Sequence, residues 1–164
     1  MKCPSCGFDN IDGADECGSC SEPLTDIPGL SGKKGMEKRI IEGLVSDLSP
    51  KRAITVSAVD PLEKAVEIMR QEKVGCVLAL DGGRLAGVLS ERELVLRTAD
   101  STDLKTTPVR EIMRVNPTCL KEGDQVADVF HRMALSNHRH VPVQMKDGSF
   151  GVVSARDLLR YLCK

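Results

Sequence analysis

The sequence of 164 residues is poor in aromatic side chains and has no long apolar run. It contains no tryptophan, one tyrosine and three phenylalanines, although 41% of its residues are hydrophobic. A core must therefore be built from aliphatic side chains, and the length suits one domain or one domain with a small additional module. The lack of any apolar run of about 18 residues excludes a membrane-spanning helix.

Signals for export and for catalysis are also missing. No apolar segment follows Lys2 as a signal peptide requires, so we expect a cytoplasmic protein with no membrane partner. The sequence contains no P-loop, no nucleophile paired with a base and no metal motif with an open coordination position. These absences predict a protein that is not an enzyme.

Four of the seven cysteines follow the pattern Cys-x2-Cys-x10-Cys-x2-Cys near the N-terminus. They are Cys3, Cys6, Cys17 and Cys20. Four thiolates at this spacing are typical of structural zinc sites, in which Zn²⁺ has no open position. Two disulfides are the alternative, which the missing secretory signal disfavours. We therefore predict a zinc ribbon over residues 1–26 whose folding depends on Zn²⁺.

Charge is distributed unevenly along the chain. The net charge is −1, but residues 1–27 contain six acidic residues and one basic residue. Nucleic-acid binding depends on cations that neutralise phosphates, so the acidic ribbon disfavours a nucleic-acid partner. A structural cap or a protein-docking role suits the ribbon better. Glycine and proline mark residues 27–35 as a linker.

The rest of the sequence is a tandem duplication, in which residue n matches residue n + 64 from position 53 onward. The clearest match joins residues 87–94 (Gly-Val-Leu-Ser-Glu-Arg-Glu-Leu) with 151–158 (Gly-Val-Val-Ser-Ala-Arg-Asp-Leu). Hydrophobic patterning predicts the order β-α-β-β-α in each copy, with the two units spanning 36–100 and 101–164. An amphipathic helix over 36–48 is predicted to precede the first copy.

Local signals define the elements within each unit. Asp60 and Asp124 are predicted to cap the first helices, with Pro61 in the first turn, and the last helices begin at Ser90 and Ser154. The predicted strands are 53–56, 76–80 and 84–89 in the first unit and 118–120, 140–144 and 149–153 in the second.

Three segments make this region similar to the tandem cystathionine-β-synthase (CBS) domain pair, or Bateman module. They are 109–113 (Val-Arg-Glu-Ile-Met), 138–143 (His-Arg-His-Val-Pro-Val) and 151–159 (Gly-Val-Val-Ser-Ala-Arg-Asp-Leu-Leu). The resemblance covers residues 37–163. It implies an α+β fold of two units related by a pseudo-twofold axis, with clefts between them. It also implies a non-catalytic regulatory function with an adenosyl ligand: AMP, ADP, ATP or S-adenosylmethionine.

The second glycine-serine-acid motif has chemistry that suits such a ligand. Ser154 lies at a predicted helix N-terminus, where unpaired amides attract anions. Asp157 lies on the same helix face and can accept both ribose hydroxyls, and Arg156 adds a cation for phosphate. The backbone of Val152 can read the adenine edge, and Gly151 would let the base approach the strand.

The resemblance adds further candidates to this Asp157 cleft. They are His138 and Arg139 for phosphates, Pro117 and Thr118 near the first strand, and Asp60, Ala65, Val74 and Gly75 from the other unit. In the first unit Glu93 replaces the aspartate, so Ser90, Arg92 and Glu93 form a weaker second site. The alternative for both motifs is a capping box without a ligand, which we favour for the first unit.

Three functions therefore remain open. The chain is a nucleotide sensor that signals to an unknown protein partner, an interaction adaptor without a physiological nucleotide, or a zinc-ribbon regulator associated with nucleic acid. The resemblance also implies a homodimer formed through the CBS helices. The candidates for that contact are Leu94, Val95, Leu158 and Leu159.

Overall fold

The computed structural model describes most of the duplicated region and the four N-terminal cysteines. The described residues are 3, 6–11, 17–21, 34–98, 102–136 and 138–163. The chain divides into two compact units, Met1–Lys38 and Arg39–Lys164. Most of the predicted linker, 27–35, lies outside the described residues.

The elements of the described residues confirm the α+β class and the repeated β-α-β-β-α order. In the first half they are α1 (Lys34–Glu42), a 3-10 helix (Val45–Leu48), β1 (Lys51–Arg52), β2 (Thr55–Ser57), α2 (Leu62–Glu72), β3 (Cys76–Asp81), β4 (Arg84–Ser90) and α3 (Glu91–Arg97). In the second half they are α4 (Val109–Ile112), β5 (Arg114–Val115), β6 (Leu120–Lys121), α5 (Val126–Ser136), β7 (His140–Gln144), β8 (Phe150–Ser154) and α6 (Ala155–Leu162).

The strands form two four-stranded sheets, one for each repeat. Their orders are β2-β3-β4-β5 and β1-β8-β7-β6. In both sheets the first strand of the repeat runs parallel to its neighbour, and the following hairpin is antiparallel. The hairpin registers correspond, since Leu78 pairs with Val88 and Pro142 pairs with Val152, 64 residues later. The duplication is thus preserved in the backbone pairing.

The two repeats exchange short edge strands. β1 precedes the first repeat in the sequence but pairs with β8 of the second repeat. β5 precedes the second repeat but pairs with β4 of the first. The sequence analysis did not predict these strands, because two residues are too few to show an alternating pattern. Each sheet is therefore completed by residues from the other half of the chain.

Two glycines provide the space that the exchanged strands need. A Cβ on Gly87 would collide with Met113 Sδ and lie 2.9 Å from the carbonyl oxygen of Arg114. A Cβ on Gly151 would lie 2.8 Å from Met145 Sδ and 3.2 Å from the carbonyl oxygen of Lys51. The expectation that Gly151 admits an adenine base is therefore wrong, because protein atoms occupy that space.

In the described part of the chain the core is aliphatic, as predicted, and three clusters of buried residues form it. One lies between the first sheet and its helices and includes Leu62, Val77 and Leu89; a second, in the other half, includes Val126, Val141 and Val153. The third joins the two sheets and contains Cys76, Leu78 and Val88, with Phe150 and Val152 packed against it. Among the described residues, no helix is long and apolar enough to cross a membrane.

Two of the residues assigned to a dimer contact face these clusters instead. Leu158 is buried within the second cluster, and Leu94 packs against the first. Their neighbours Val95 and Leu159 are exposed. Each helix has two apolar residues next to each other, so the sequence does not show which of the two faces the core. Tertiary packing determines this.

The helix predicted over 36–48 is interrupted at Gly43. α1 ends at Glu42, and a separate 3-10 helix begins at Val45. A Cβ on Gly43 would collide with the Arg39 carbonyl oxygen and with the Tyr161 hydroxyl. Close packing against α6 therefore breaks the helix at the one residue without a side chain.

The predicted aspartate caps are also displaced by tertiary structure. Pro61 is the N-cap of α2, whereas Asp60 accepts a hydrogen bond from the Ser57 amide at 2.9 Å and pairs with Lys64 at 3.0 Å. Asp124 likewise accepts a hydrogen bond from the Lys121 amide at 2.7 Å. Both aspartates thus fix the turn between strand and helix rather than the first helical amides.

The close approach at Gly87 predicts a measurable loss of stability. We expect Gly87→Ala to lower the free energy of unfolding by about 1–3 kcal/mol, because the added methyl group forces β4 and β5 apart. Gly123→Ala is the matched control, since no atom lies within 4 Å of its Cβ position. Denaturant unfolding of both variants measures the difference, and equal stabilities would contradict the proposed role of Gly87.

Candidate functional site

The four N-terminal cysteines form one cluster. Their sulfur atoms all lie within 4.8 Å of one another. The Sγ atoms of Cys3 and Cys20 are 3.7 Å apart, and those of Cys6 and Cys17 are 3.6 Å apart. Tetrahedral zinc with bonds of about 2.3 Å holds its sulfurs about 3.8 Å apart, whereas a disulfide bond measures about 2.05 Å. The donor set therefore fits a metal ion, and the disulfide alternative is wrong because all four cysteines are free.

Neighbouring polar groups favour a thiolate at Cys17. The Ser19 amide donates to Cys17 Sγ at 3.4 Å, and Asn10 Nδ2 donates to the same sulfur at 3.6 Å. Burial raises the pKa of Cys17, but hydrogen bonds from the Ser19 and Cys20 amides and from Asn10 outweigh it and lower that pKa to about 6. A metal ligand must be deprotonated, so this environment suits metal binding.

Both serine-x-x-acid motifs form capping boxes. In α6, Asp157 Oδ2 accepts hydrogen bonds from the Ser154 amide at 2.9 Å and from the Ser154 hydroxyl at 2.5 Å. In α3, Glu93 Oε2 accepts from the Ser90 amide at 3.2 Å and from the Ser90 hydroxyl. Capping-box geometry is therefore present in both motifs, and it does not by itself decide whether a ligand also binds there.

The two acidic residues differ in their remaining contacts. Asp157 is only 8% exposed, and its second oxygen, Oδ1, lies 3.5 Å from Arg160 Nη1. In α3 the residue that matches Arg160 is Leu96, which offers no such cation. Within the described part of the chain, Glu93 therefore has one carboxylate oxygen without a hydrogen-bond partner, whereas Asp157 has none.

A cavity of about 360 Å³ lies beside Glu93. Both halves of the chain contribute to its wall. The polar lining residues are Ser90, Glu91, Arg92 and Glu93 from the first half and Arg114, His138, Arg139 and His140 from the second. Gly75 also lines it, and a Cβ there would lie 3.4 Å from the His140 ring and 3.5 Å from Glu91 Oε2.

The structure thus brings His138 and Arg139 to the Glu93 cavity, whereas the sequence analysis assigned them to the Asp157 cleft. The carbonyl oxygen of Arg139 accepts a hydrogen bond from the Ala155 amide at 2.9 Å, so its backbone does adjoin the start of α6. Because the two sheets face each other, the same loop also borders α3 of the first half. The sequence does not show that the loop containing His138 and Arg139 packs beside α3.

Apart from Gly75, the other residues predicted for the Asp157 cleft do not line this cavity. Ala65 is fully buried in the first core cluster, so the expectation that it contacts a ligand is wrong. Val74 packs against the same cluster, and Asp60 is bonded to its own turn. The remaining candidates outside this cavity are Pro117, Thr118, Val152, Ser154, Arg156 and Asp157.

Three polar residues of the cavity were not predicted from the sequence: Glu91, His140 and Arg114. Arg114 lies on the exchanged strand β5, which no periodicity revealed. Its match in the first half is Pro50, and both precede the region where the duplication is recognisable. The repeat therefore gave no signal for Arg114.

Burial lowers the pKa of both cavity histidines, His138 and His140. The pKa of His138 is lowered first by burial and then by Arg114, with Glu93 acting in the opposite direction. Burial also lowers the pKa of His140, against the attraction of Glu91, Glu93 and Asp157. At neutral pH the fixed charges of the lining are therefore three arginines and two glutamates.

Comparisons with known proteins agree on one family. The family model "CBS domain" matches residues 45–100 and 109–164, which lie within the two predicted units. The CBS domain-containing protein YhcV of Bacillus subtilis is 28% identical over 114 residues, covering 70% of this chain and 81% of its own length. CBSCBSPB3 of Arabidopsis thaliana is 27% identical over 118 residues, which are 71% of this chain. The chain spans only 21% of that longer protein.

A solved structure extends the similarity to three dimensions. The CBS domain protein PAE2072 from Pyrobaculum aerophilum, complexed with AMP, superposes with a TM-score of 0.63 at 25% identity. The match covers 73% of this chain and 98% of that one. The predicted tandem CBS arrangement is therefore confirmed.

The cysteine cluster predicts a metal content that can be measured. We expect about one zinc ion per chain in the purified protein, because four thiolates complete a tetrahedral site. Cys6→Ser removes one ligand and should lower the zinc content well below that of the parent protein. Cys163→Ser is the matched control, as an exposed cysteine outside the cluster. Zinc well below one ion per parent chain would contradict the assignment.

Proposed function

Because the chain belongs to the CBS-domain family, with one matched segment in each half, we propose that this regulatory module binds an adenine nucleotide or S-adenosylmethionine in the cavity beside Glu93. Binding is read by a partner protein, and the module itself is non-catalytic. The observation that carries the proposal is the cavity of about 360 Å³ lined by charged residues from both halves. Small-ligand sites measure about 300–1,000 Å³, so its size is suitable.

The charges around the cavity support a phosphorylated ligand. Arg92 and Arg139 are exposed at its wall, so their guanidinium groups can turn towards a phosphate. Charge-assisted hydrogen bonds to phosphate are among the strong polar contacts of proteins. The free oxygen of Glu93 is available to a ribose hydroxyl. The AMP bound in PAE2072 provides a precedent within the family.

The proposal moves the nucleotide from the Asp157 cleft to the Glu93 cavity. Asp157 has a partner on each carboxylate oxygen, so a ribose there would have to compete with Arg160. The basic residues that favoured the Asp157 cleft, His138 and Arg139, line the Glu93 cavity. These contacts support the Glu93 cavity over the Asp157 cleft as the proposed nucleotide site.

A ligand in this position would contact both repeats at once. Ser90 and Glu93 belong to the first half, whereas His138 and Arg139 belong to the second. A ligand shifts a conformational equilibrium only as far as its affinities for the two states differ. Contacts that depend on the relative position of the halves provide such a difference, which a partner protein would read.

We also propose that the module forms a homodimer through its exposed helix surfaces. Val95 is 79% exposed and Leu159 is 60% exposed, and both lie on helices that follow the glycine-serine motifs. Large exposed apolar side chains grouped on a surface are typical of protein contacts. This surface is also what the adaptor alternative would use if the cavity has no physiological ligand.

The location of the nucleotide can be tested by calorimetry with AMP, ADP, ATP and S-adenosylmethionine. We expect Arg139→Ala to weaken nucleotide binding about tenfold or more, because it removes a charge-assisted hydrogen bond. Arg156→Ala is the matched control, since Arg156 is equally exposed but lies beside Asp157. If Arg156→Ala weakens binding and Arg139→Ala does not, the ligand binds in the Asp157 cleft instead. No binding below millimolar concentrations would favour the adaptor function.

The dimer contact can be tested by light scattering. Leu159→Glu is expected to convert a dimer to a monomer, because it places a charge in an apolar contact. Val59→Glu is the matched control, as a 62% exposed residue outside the helices. A dimer that survives Leu159→Glu would exclude this surface, and a monomeric parent protein would remove the proposal.

A further inference from the structure

We propose that Arg114 anchors the phosphate of the ligand and thereby selects anionic nucleotides over S-adenosylmethionine. The inference rests on the proposed function, since it concerns the same cavity. It identifies the ligand class within that function and adds a residue that neither the sequence motifs nor the repeat indicated.

The backbone holds Arg114 firmly at the cavity wall. Arg114 pairs with Val88 across β5 and β4. Ile112 and Met113 come just before Arg114 in the sequence. Their carbonyl oxygens accept hydrogen bonds from Arg97 Nη1, at 3.2 Å and 3.1 Å. The segment is therefore fixed on both sides before any ligand enters.

One polar atom of the half-buried Arg114 side chain lacks an acceptor. Its Nε is buried and has no hydrogen-bond partner among the described residues. Glu93 attracts it electrostatically, and one oxygen of Glu93 is already bonded to Ser90. A buried polar group without a partner carries a substantial free-energy cost. An anion in the cavity would supply the missing acceptor.

The chemistry of a guanidinium suits a phosphate at this wall of the cavity. Arg114 lines the cavity beside His138 and Arg139. One guanidinium can donate two hydrogen bonds to a phosphate. S-adenosylmethionine carries a sulfonium cation at the corresponding place in the ligand and would be repelled.

Isothermal titration of Arg114→Gln with ATP, AMP, adenosine and S-adenosylmethionine tests the assignment. The parent protein is expected to bind ATP and AMP more tightly than adenosine or S-adenosylmethionine. Arg114→Gln should weaken ATP binding about tenfold or more while leaving adenosine almost unchanged. Arg114→Lys keeps the charge without the paired donors, so it should restore part of the loss. Arg84→Gln, at an exposed arginine outside the cavity, should behave like the parent.

The ligand-free stability of Arg114→Gln separates phosphate binding from a structural role. Because Arg114 Nε has no acceptor among the described residues, Arg114→Gln should leave the melting temperature almost unchanged, while the stabilisation by ATP is lost. A structural residue would instead lower the melting temperature and keep the ratio of ATP to adenosine affinity. That result, or tighter binding of S-adenosylmethionine than of AMP by the parent protein, would overturn the inference.

Inorganic pyrophosphate distinguishes this inference from the proposed function. If ATP binding depends on Arg139 but is unchanged in Arg114→Gln, the role of Arg114 is wrong and the nucleotide function stands. If pyrophosphate binds only when Arg114 is present and no adenine compound binds, the nucleotide function fails and the anion site remains.

Discussion

The pairing of β5 with β4 brings the two halves of the chain together at the cavity. β5 comes from the segment before the second repeat, yet it completes the first sheet. This pairing is possible because Gly87 has no side chain where Met113 and the Arg114 carbonyl approach. The same contact brings Arg114 beside the capping box of α3. The wall of the cavity is therefore a direct consequence of the strand exchange.

The duplication explains the scaffold, and single substitutions between its copies explain the differences in chemistry. Both repeats use a serine and an acid to cap the last helix, so this contact stabilises local structure in each half. One helical turn later, Arg160 neutralises Asp157, whereas its match Leu96 leaves Glu93 partly free. Arg114, matched by Pro50, adds a cation on the Glu93 side alone. In the copy with aspartate, both carboxylate oxygens have partners within the protein. In the copy with glutamate, one carboxylate oxygen has no hydrogen-bond partner among the described residues.

Features encoded in a few neighbouring residues could be predicted from the sequence. The hairpin strands and the helix starts at Ser90 and Ser154 follow from local patterns, and so does the clustering of Cys3, Cys6, Cys17 and Cys20. Features set by packing between distant segments could not. The edge strands and the position of His138 depend on how the two sheets face each other, and the burial of Ala65 depends on how α2 packs against the first sheet. The candidate site belongs mainly to this second group, because its wall comes from both halves.

A charged cavity between two exchanged sheets gives a physical route from binding to signalling. The half-buried Arg114, on the strand that joins the halves, has a buried Nε with no hydrogen-bond partner among the described residues. That arrangement raises the free energy of the state in which β5 is docked. An anion that satisfies Arg114 stabilises the docked state selectively, and a ligand can shift an equilibrium only through such a difference. Under the proposed function, the nucleotide concentration would control how firmly the two repeats are held together.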